Sequence, residues 1–140
     1  MSTLKVTNIQ DTSGSNSSTT EEIFEGRARA WVNFNGTGTV AIRDDYNVNT
    51  ITDVSSGHYV VNFSTSFSNA NYCAVGMCGD DTSGPGGYGT RGAPDLAFEN
   101  LSDNFAAGAL KVNSAYSASA NSNGSSNIDY PRICVACFGN

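Results

Sequence analysis

An all-β, antiparallel sandwich is the fold that this 140-residue sequence predicts. Two observations predict it. Short apolar-polar alternations bounded by Gly, Asn and Ser recur at roughly ten-residue spacing, the pattern of short antiparallel strands joined by tight turns. No segment sustains a helical period of about 3.6 residues over a useful length.

The strands begin at Ala30. Ala30, Val32 and Phe34 alternate with Trp31 and Asn33, Asn35-Gly36 opens a tight turn because Gly tolerates positive φ, and Val40 and Ile42 follow. A hairpin is the expectation. Val48, Ile51 and Val54 lie in a less regular stretch that ends at the Ser55-Ser56-Gly57 turn. From His58 the alternation is clean, with Tyr59, Val61 and Phe63 on one face and His58, Val60 and Asn62 on the other. Phe67 is expected to plug the core at the corner that follows.

In the next strand Cys73, Val75 and Met77 share a face opposite Tyr72, Ala74 and Gly76. The glycine-rich run from Asp80 to Pro94 is the longest predicted loop, since its Gly and Pro content fits neither a helix nor a strand interior. Leu96 and Phe98 start another strand, Leu110 and Val112 (with Tyr116) the next, and a Ser/Asn/Gly tip spans Ser117 to Asn127. The closing strand, Arg132 to Phe138, is apolar on both faces, which places it centrally or against another subunit.

Residues 1–27 read as an N-terminal docking arm and residues 28–140 as the sandwich domain. Leu4, Val6 and Ile9 are spaced apolar side chains in a short extended stretch, and Asp11 to Thr20 is too polar to bury anything. Such a segment suggests attachment to something larger. Thr20, with Glu21 to Glu25, is expected to cap at most one helical turn.

Composition narrows the function. Charged residues make up 14% of the chain, and 13 acids against 7 scattered bases give a net charge of −6. Nucleic-acid binding needs clustered Lys and Arg, so it is disfavoured. No apolar run approaches the ~20 residues of a membrane helix, and no basic segment leads into an apolar signal. Synthesis in a cytoplasm is the expectation.

Cys134-x-x-Cys137 has the spacing of zinc ligands, but residues three apart on a strand face opposite ways, as do Cys73 and Cys78. Buried free thiols are the expectation, with neither metal nor cofactor. His58 is the only histidine, at a strand start, and no carboxylate pair is spaced for acid/base hydrolysis, so no catalytic residue is assigned and the chain reads as a non-enzyme. One cluster has the chemistry of a glycan or host contact: Asp80, Asp81, Tyr88 and Arg91. Carboxylates and a guanidinium hydrogen-bond hydroxyls, and an aromatic face stacks on a sugar ring. A loop that contacts another subunit is the alternative reading of the same run.

Two resemblances rest on these residues. The run Thr3-Leu4-Lys5-Val6-Thr7-Asn8-Ile9-Gln10-Asp11-Thr12-Ser13-Gly14, followed by Ala30 to Val40 and the closing Arg132 to Phe138, resembles tail-fibre and other virion structural proteins of marine bacteriophages, especially those of cyanobacteria. That resemblance implies a virion appendage assembled in the host cytoplasm, usually trimeric, attached to other virion proteins through its N-terminus. Gly57 to Phe63, leading through Phe67 to Tyr72 to Gly76, is similar to H-type lectin-like domains, which are small trimeric sandwiches that bind glycans between subunits. The expected function is thus a homotrimeric fibre or knob at the tail, with a capsid decoration or head fibre and a glycan-binding module as alternatives. Homotrimer formation has a second warrant, because several strands carry apolar groups on both faces.

Overall fold

The structure is a computed structural model, and it describes residues 2–79, 94–97, 104–117 and 125–139. The described residues form an antiparallel β-sandwich preceded by a small hairpin and one short helix. The hairpin pairs β1 (Asn8–Gln10) with β2 (Ser17–Thr19), so residues 8–19 fold back on themselves instead of running extended. Its turn is built by one side chain. The Asp11 carboxylate accepts from the Ser13 and Ser15 backbone N–H groups at 3.1 and 3.0 Å, from Ser13 Oγ at 2.8 Å and from Asn16 Nδ2 at 2.8 Å.

Helix α1 (Thr20–Gly26) follows directly, and its N-cap is Thr19, not Thr20. Thr19 Oγ1 accepts the Glu22 N–H at 3.1 Å while the Glu22 carboxylate accepts the Thr19 N–H at 2.7 Å, a complete capping box. Thr19 thus satisfies one of the free donors of the first turn, and the Thr7 carbonyl accepts another, the Thr20 N–H, at 2.9 Å. None of its residues is buried.

One sheet is ordered β4-β3-β12-β7: β4 (Ala41–Tyr46), β3 (Ala28–Asn35), β12 (Arg132–Phe138) and β7 (Cys73–Gly79). The closing strand is central in it, as its two apolar faces predict. The other sheet centres on β10 (Ala109–Ser117), which pairs with β6 (His58–Phe63), β8 (Pro94–Ala97), β9 (Phe105–Ala106) and β11 (Ser125–Asn127). β5 (Val48–Ser55) pairs with β6. Leu96 falls within β8, whereas Phe98 lies outside the described residues.

The inward residues of both sheets meet in one core. Ala30, Val32, Phe34, Ile133, Val135 and Cys137 come from one side, and Val48, Tyr59, Val61, Phe63, Leu110 and Val112 from the other. Each fully buried large apolar side chain contributes about 1.5–3 kcal/mol, so the alternation in β3, β6 and β12 is the main source of stability. Phe67 closes one end as expected. It stacks on Tyr72 at 4.4 Å between ring centroids and meets the edge of Phe63 at 5.0 Å.

The stretch from Val48 to Val54 is more regular than the sequence suggests. Asn49 and Val54 are extra residues in bulges, so Val48 pairs with Phe63 and Ile51, three positions on, pairs with Val61. A bulge thus converts a spacing of three into a shared face.

The turn after Asn35 also differs from expectation. Gly36 carries no positive φ, which falls instead on Gly38 at 64°. Gly36 is required for closeness: a Cβ there would lie 2.4 Å from the Tyr59 hydroxyl and 2.9 Å from the Tyr130 carbonyl oxygen. The chain passes from one sheet to the other at Asn47, left-handed at φ 58°. Its side chain donates to the Arg29 and Thr65 carbonyls and accepts the Thr65 N–H.

Candidate functional site

Two surfaces have the chemistry of contact. The first is the outer face of the β4-β3-β12-β7 sheet. Because Ala30, Val32 and Phe34 point into the core, Trp31 and Asn33 point out, and the registers align their neighbours in rows. Tyr46, Trp31, Ala136 and Val75 form one row across all four strands, and Asp44, Asn33, Cys134 and Met77 form the next. Side by side at about 4.8 Å per strand, each row spans about 15 Å. Trp31 is 37% exposed, Tyr46 49%, Val75 51% and Met77 67%. An aromatic and aliphatic band this continuous on a sheet face is the chemistry of a protein contact. Asn33 Oδ1 is buried within it and has no hydrogen-bond partner.

The second surface is the outer face of β6 and β10. His58 pairs with Asn113 and Val60 with Lys111 across the two strands, and these four residues, with Val54 and Asn104, line a cavity of about 260 Å³. Nδ1 of His58 lies 3.1 Å from the Ser56 carbonyl oxygen and 3.2 Å from Ser55 Oγ. The carbonyl can only accept, so Nδ1 carries the proton and Nε2 is left as the acceptor. Asn113 Nδ2 then donates to His58 Nε2 at 3.0 Å and to Asn127 Oδ1 at 3.1 Å. Both of its hydrogens are used.

The other end of that amide is not used. Asn113 Oδ1 and Asn104 Nδ2 are buried without a hydrogen-bond partner, in residues only 2% and 5% exposed. A buried polar atom left unpaired costs about 1–3 kcal/mol. Both residues line the cavity, but neither unpaired atom is open to solvent.

Of the residues expected to dock the N-terminal segment, Leu4 is 85% exposed, and Val6 and Ile9 are exposed as well. Their side chains remain free to meet something else. The segment joins the sandwich at Phe24, whose ring centroid lies 4.2 Å from the Arg29 guanidinium and 5.1 Å from that of Arg27. Asp80, Asp81, Tyr88 and Arg91 lie outside the described residues.

All four cysteines are free thiols, but only Cys137 is buried: Cys73 is exposed and Cys78 and Cys134 are half-buried, because strand parity turns Cys73 and Cys134 to the outer face of the sheet. Burial and then the neighbouring Cys73 push the Cys137 thiol up to about 12, which makes it unreactive near neutrality. Among the described residues, no three His, Cys, Asp or Glu side chains come together as a metal site, and no helix is long and apolar enough to cross a membrane.

The sequence pointed to none of Trp31, His58, Asn104, Lys111 and Asn113 as contact residues. A lone Asn between Val112 and Ser114 reads as a solvent-facing strand residue until the register sets it beside His58. Compared with protein-family models, with curated proteins and with solved structures, the chain gives no match. The class defined by fold and surfaces is an antiparallel β-sandwich with an apolar outer sheet face and an exposed N-terminal hairpin and helix.

Proposed function

We propose that the chain is a non-enzymatic virion structural protein, a homotrimeric fibre or knob-like appendage held to a phage particle by its N-terminal segment. The observation that carries this reading is the row Tyr46, Trp31, Ala136 and Val75, with Met77 beside it. A sandwich with a filled core has no internal use for a second apolar face, and three copies turned around one axis bury it. The exposed Leu4, Val6 and Ile9 supply spaced apolar anchors for a second partner, another virion protein. The scarcity of charge and the scattered bases accord with a neutral, hydrogen-bonding surface and not with a nucleic-acid partner.

Sedimentation equilibrium on the full chain tests the assembly. The wild type is expected to be a trimer, and Trp31→Asp with Val75→Asp to be a monomer with unchanged far-ultraviolet circular dichroism. A monomeric wild type sinks the trimer. For the anchor, deleting residues 1–22 is expected to leave a folded oligomer that no longer incorporates into particles. Labelled protein imaged on whole virions separates a tail appendage from a capsid decoration or head fibre.

A further inference from the structure

We infer that the N-terminal hairpin and helix form one rigid lever, hinged on the sandwich at Gly26-Arg27 and held in the observed orientation by the Phe24 ring against Arg29. Inside the lever every junction is bonded. Thr19 closes β2 and caps α1 at once, through the reciprocal bonds with Glu22. The Thr20 N–H donates to the Thr7 carbonyl at 2.9 Å, which fixes the start of the helix to the residue that precedes β1. At the far end of the hairpin, the Asp11 carboxylate accepts from Ser13, Ser15 and Asn16. Hairpin and helix therefore share no loose joint.

The junction with the sandwich is the opposite. Gly26 ends α1 and Ala28 begins β3, so one extended residue, Arg27 at φ −91° and ψ 148°, joins the two bodies. Among the described residues, no hydrogen bond runs from residues 2–26 to the sandwich, and none of residues 2–26 is buried. A Cβ on Gly26 would meet nothing within 4 Å, so the backbone there has room to turn, and hinges commonly fall on such element-terminal residues. What remains is the ring. Phe24 lies 4.2 Å from the guanidinium of Arg29, which also donates to the Gly139 carbonyl at 3.4 Å and is thereby anchored to the sandwich from behind. The 5.1 Å contact with Arg27 is made at the hinge itself. Because Phe24 is exposed, the Arg29 contact favours the held orientation by only about 2- to 5-fold. Held and released orientations are both populated, and a partner that engages the lever shifts them. Ile9 and Ile23, exposed on the lever, swing together and keep their spacing while the sandwich turns. That use of the joint rests on reading the N-terminal segment as the attachment; the joint itself does not.

Residual dipolar couplings of the isotopically labelled full-length protein, aligned in a stretched gel, test the lever. Amides from Asn8 to Gly26 are expected to fit a single alignment tensor, smaller in magnitude than that of the sandwich. Phe24→Leu, which stays apolar but loses the ring, is expected to lower the lever's magnitude a further ~1.5- to 2-fold as the held population drops, with the sandwich unchanged. Arg29→Gln, which leaves the lever's own sequence intact, is expected to do the same, and it decides the matter if Phe24→Leu frays the helix. Wild-type couplings that need separate tensors for hairpin and helix overturn the rigid lever. A lever magnitude equal to that of the sandwich overturns the hinge, and an unchanged magnitude in Arg29→Gln overturns the latch. Particle incorporation reports attachment separately, so failure of the joint is distinguishable from failure of the attachment reading.

Discussion

The Tyr59 hydroxyl lies 2.6 Å from Asp129 Oδ1, and the same oxygen accepts the Gly57 backbone N–H at 2.7 Å. One carboxylate thus ties β6 to the turn before it and to the segment entering β12. The Gly36 carbonyl, 3.2 Å from the same hydroxyl, brings the β3–β4 connection into the group. The phenol is 1% exposed and meets Phe34 edge-on at 5.2 Å, so both sheets converge on this ring.

Tyr59→Phe removes the donor and keeps the ring. Asp129 retains Gly57, so the loss is one hydrogen bond to a charged group, about 1.5–3 kcal/mol. Urea unfolding is expected to show a lower midpoint at an unchanged slope. Burial, then the Asp129 carboxylate, raises the Tyr59 phenol well above its ordinary value, and burial does the same at Tyr72. The unfolded chain therefore releases these protons first as pH rises. Stability is fully present below the unfolded value of about 10 and falls progressively above it. In Tyr59→Phe the alkaline decline is expected to be shallower, and an equal slope in both proteins would refute the Tyr59 contribution.

Gly57 and Gly38 separate two reasons for a glycine. Both have positive φ, 73° and 64°. Around Gly38 nothing lies within 4 Å, whereas a Cβ on Gly57 would lie 2.4 Å from the Ser114 carbonyl oxygen and 2.8 Å from the Ile128 backbone nitrogen. Gly38→Ala is expected to cost only the left-handed backbone penalty, about 1–2 kcal/mol. Gly57→Ala adds overpacking against backbone that cannot rotate away, a further ~1–3 kcal/mol. Thermal unfolding of the two variants checks the order, and equal losses would mean that the Gly57 turn moves freely.

Asp11 gives an acid-side signature confined to the hairpin. Hydrogen bonds from Ser13 and then Asn16 hold its carboxyl down at about 2, against an ordinary 3.8. A depressed carboxyl contributes to the turn above its unfolded value, and that contribution disappears as pH falls through the folded one. The hairpin is therefore expected to be intact at pH 4 and to open as the pH approaches about 2. Following the Asp11 carboxyl carbon and the Ser13 and Ser15 amides by NMR tests this, and a carboxyl midpoint near 3.8 would mean that the turn does not form.

Much of the sandwich is legible in the sequence because strand parity is local. Tyr59, Val61 and Phe63 point inward for the same reason that they alternate, and Phe67 fills the corner where the alternation stops. Bulges are not local. Nothing in Val48 to Val54 says that Asn49 is the extra residue, because that depends on its partner strand. Gly36 was legible as a turn residue but not for its true reason, since Tyr59 approaches it from 23 positions away. The cavity was the least legible feature. Asn113 and His58 are ordinary surface residue types until the β6–β10 register brings them together, and Asn104 joins them through its carbonyl, which accepts the Lys111 N–H at 2.9 Å.

Helix α1 is stabilised locally, whereas the sandwich is stabilised by contacts between distant strands. Thr19→Ala removes the side-chain half of the capping box, a loss of about 1 kcal/mol in ordinary helices. The helix has seven residues and buries none of them, so little besides the cap and the Arg29 contact on Phe24 holds it. Amide exchange from Ile23 to Gly26 is expected to speed up several-fold, while exchange in β3, β6 and β12 and the urea midpoint stay within error. A fall in the global midpoint instead would show that the helix and the sandwich unfold as one cooperative unit, and that the N-terminal segment contributes to folding as well as to attachment.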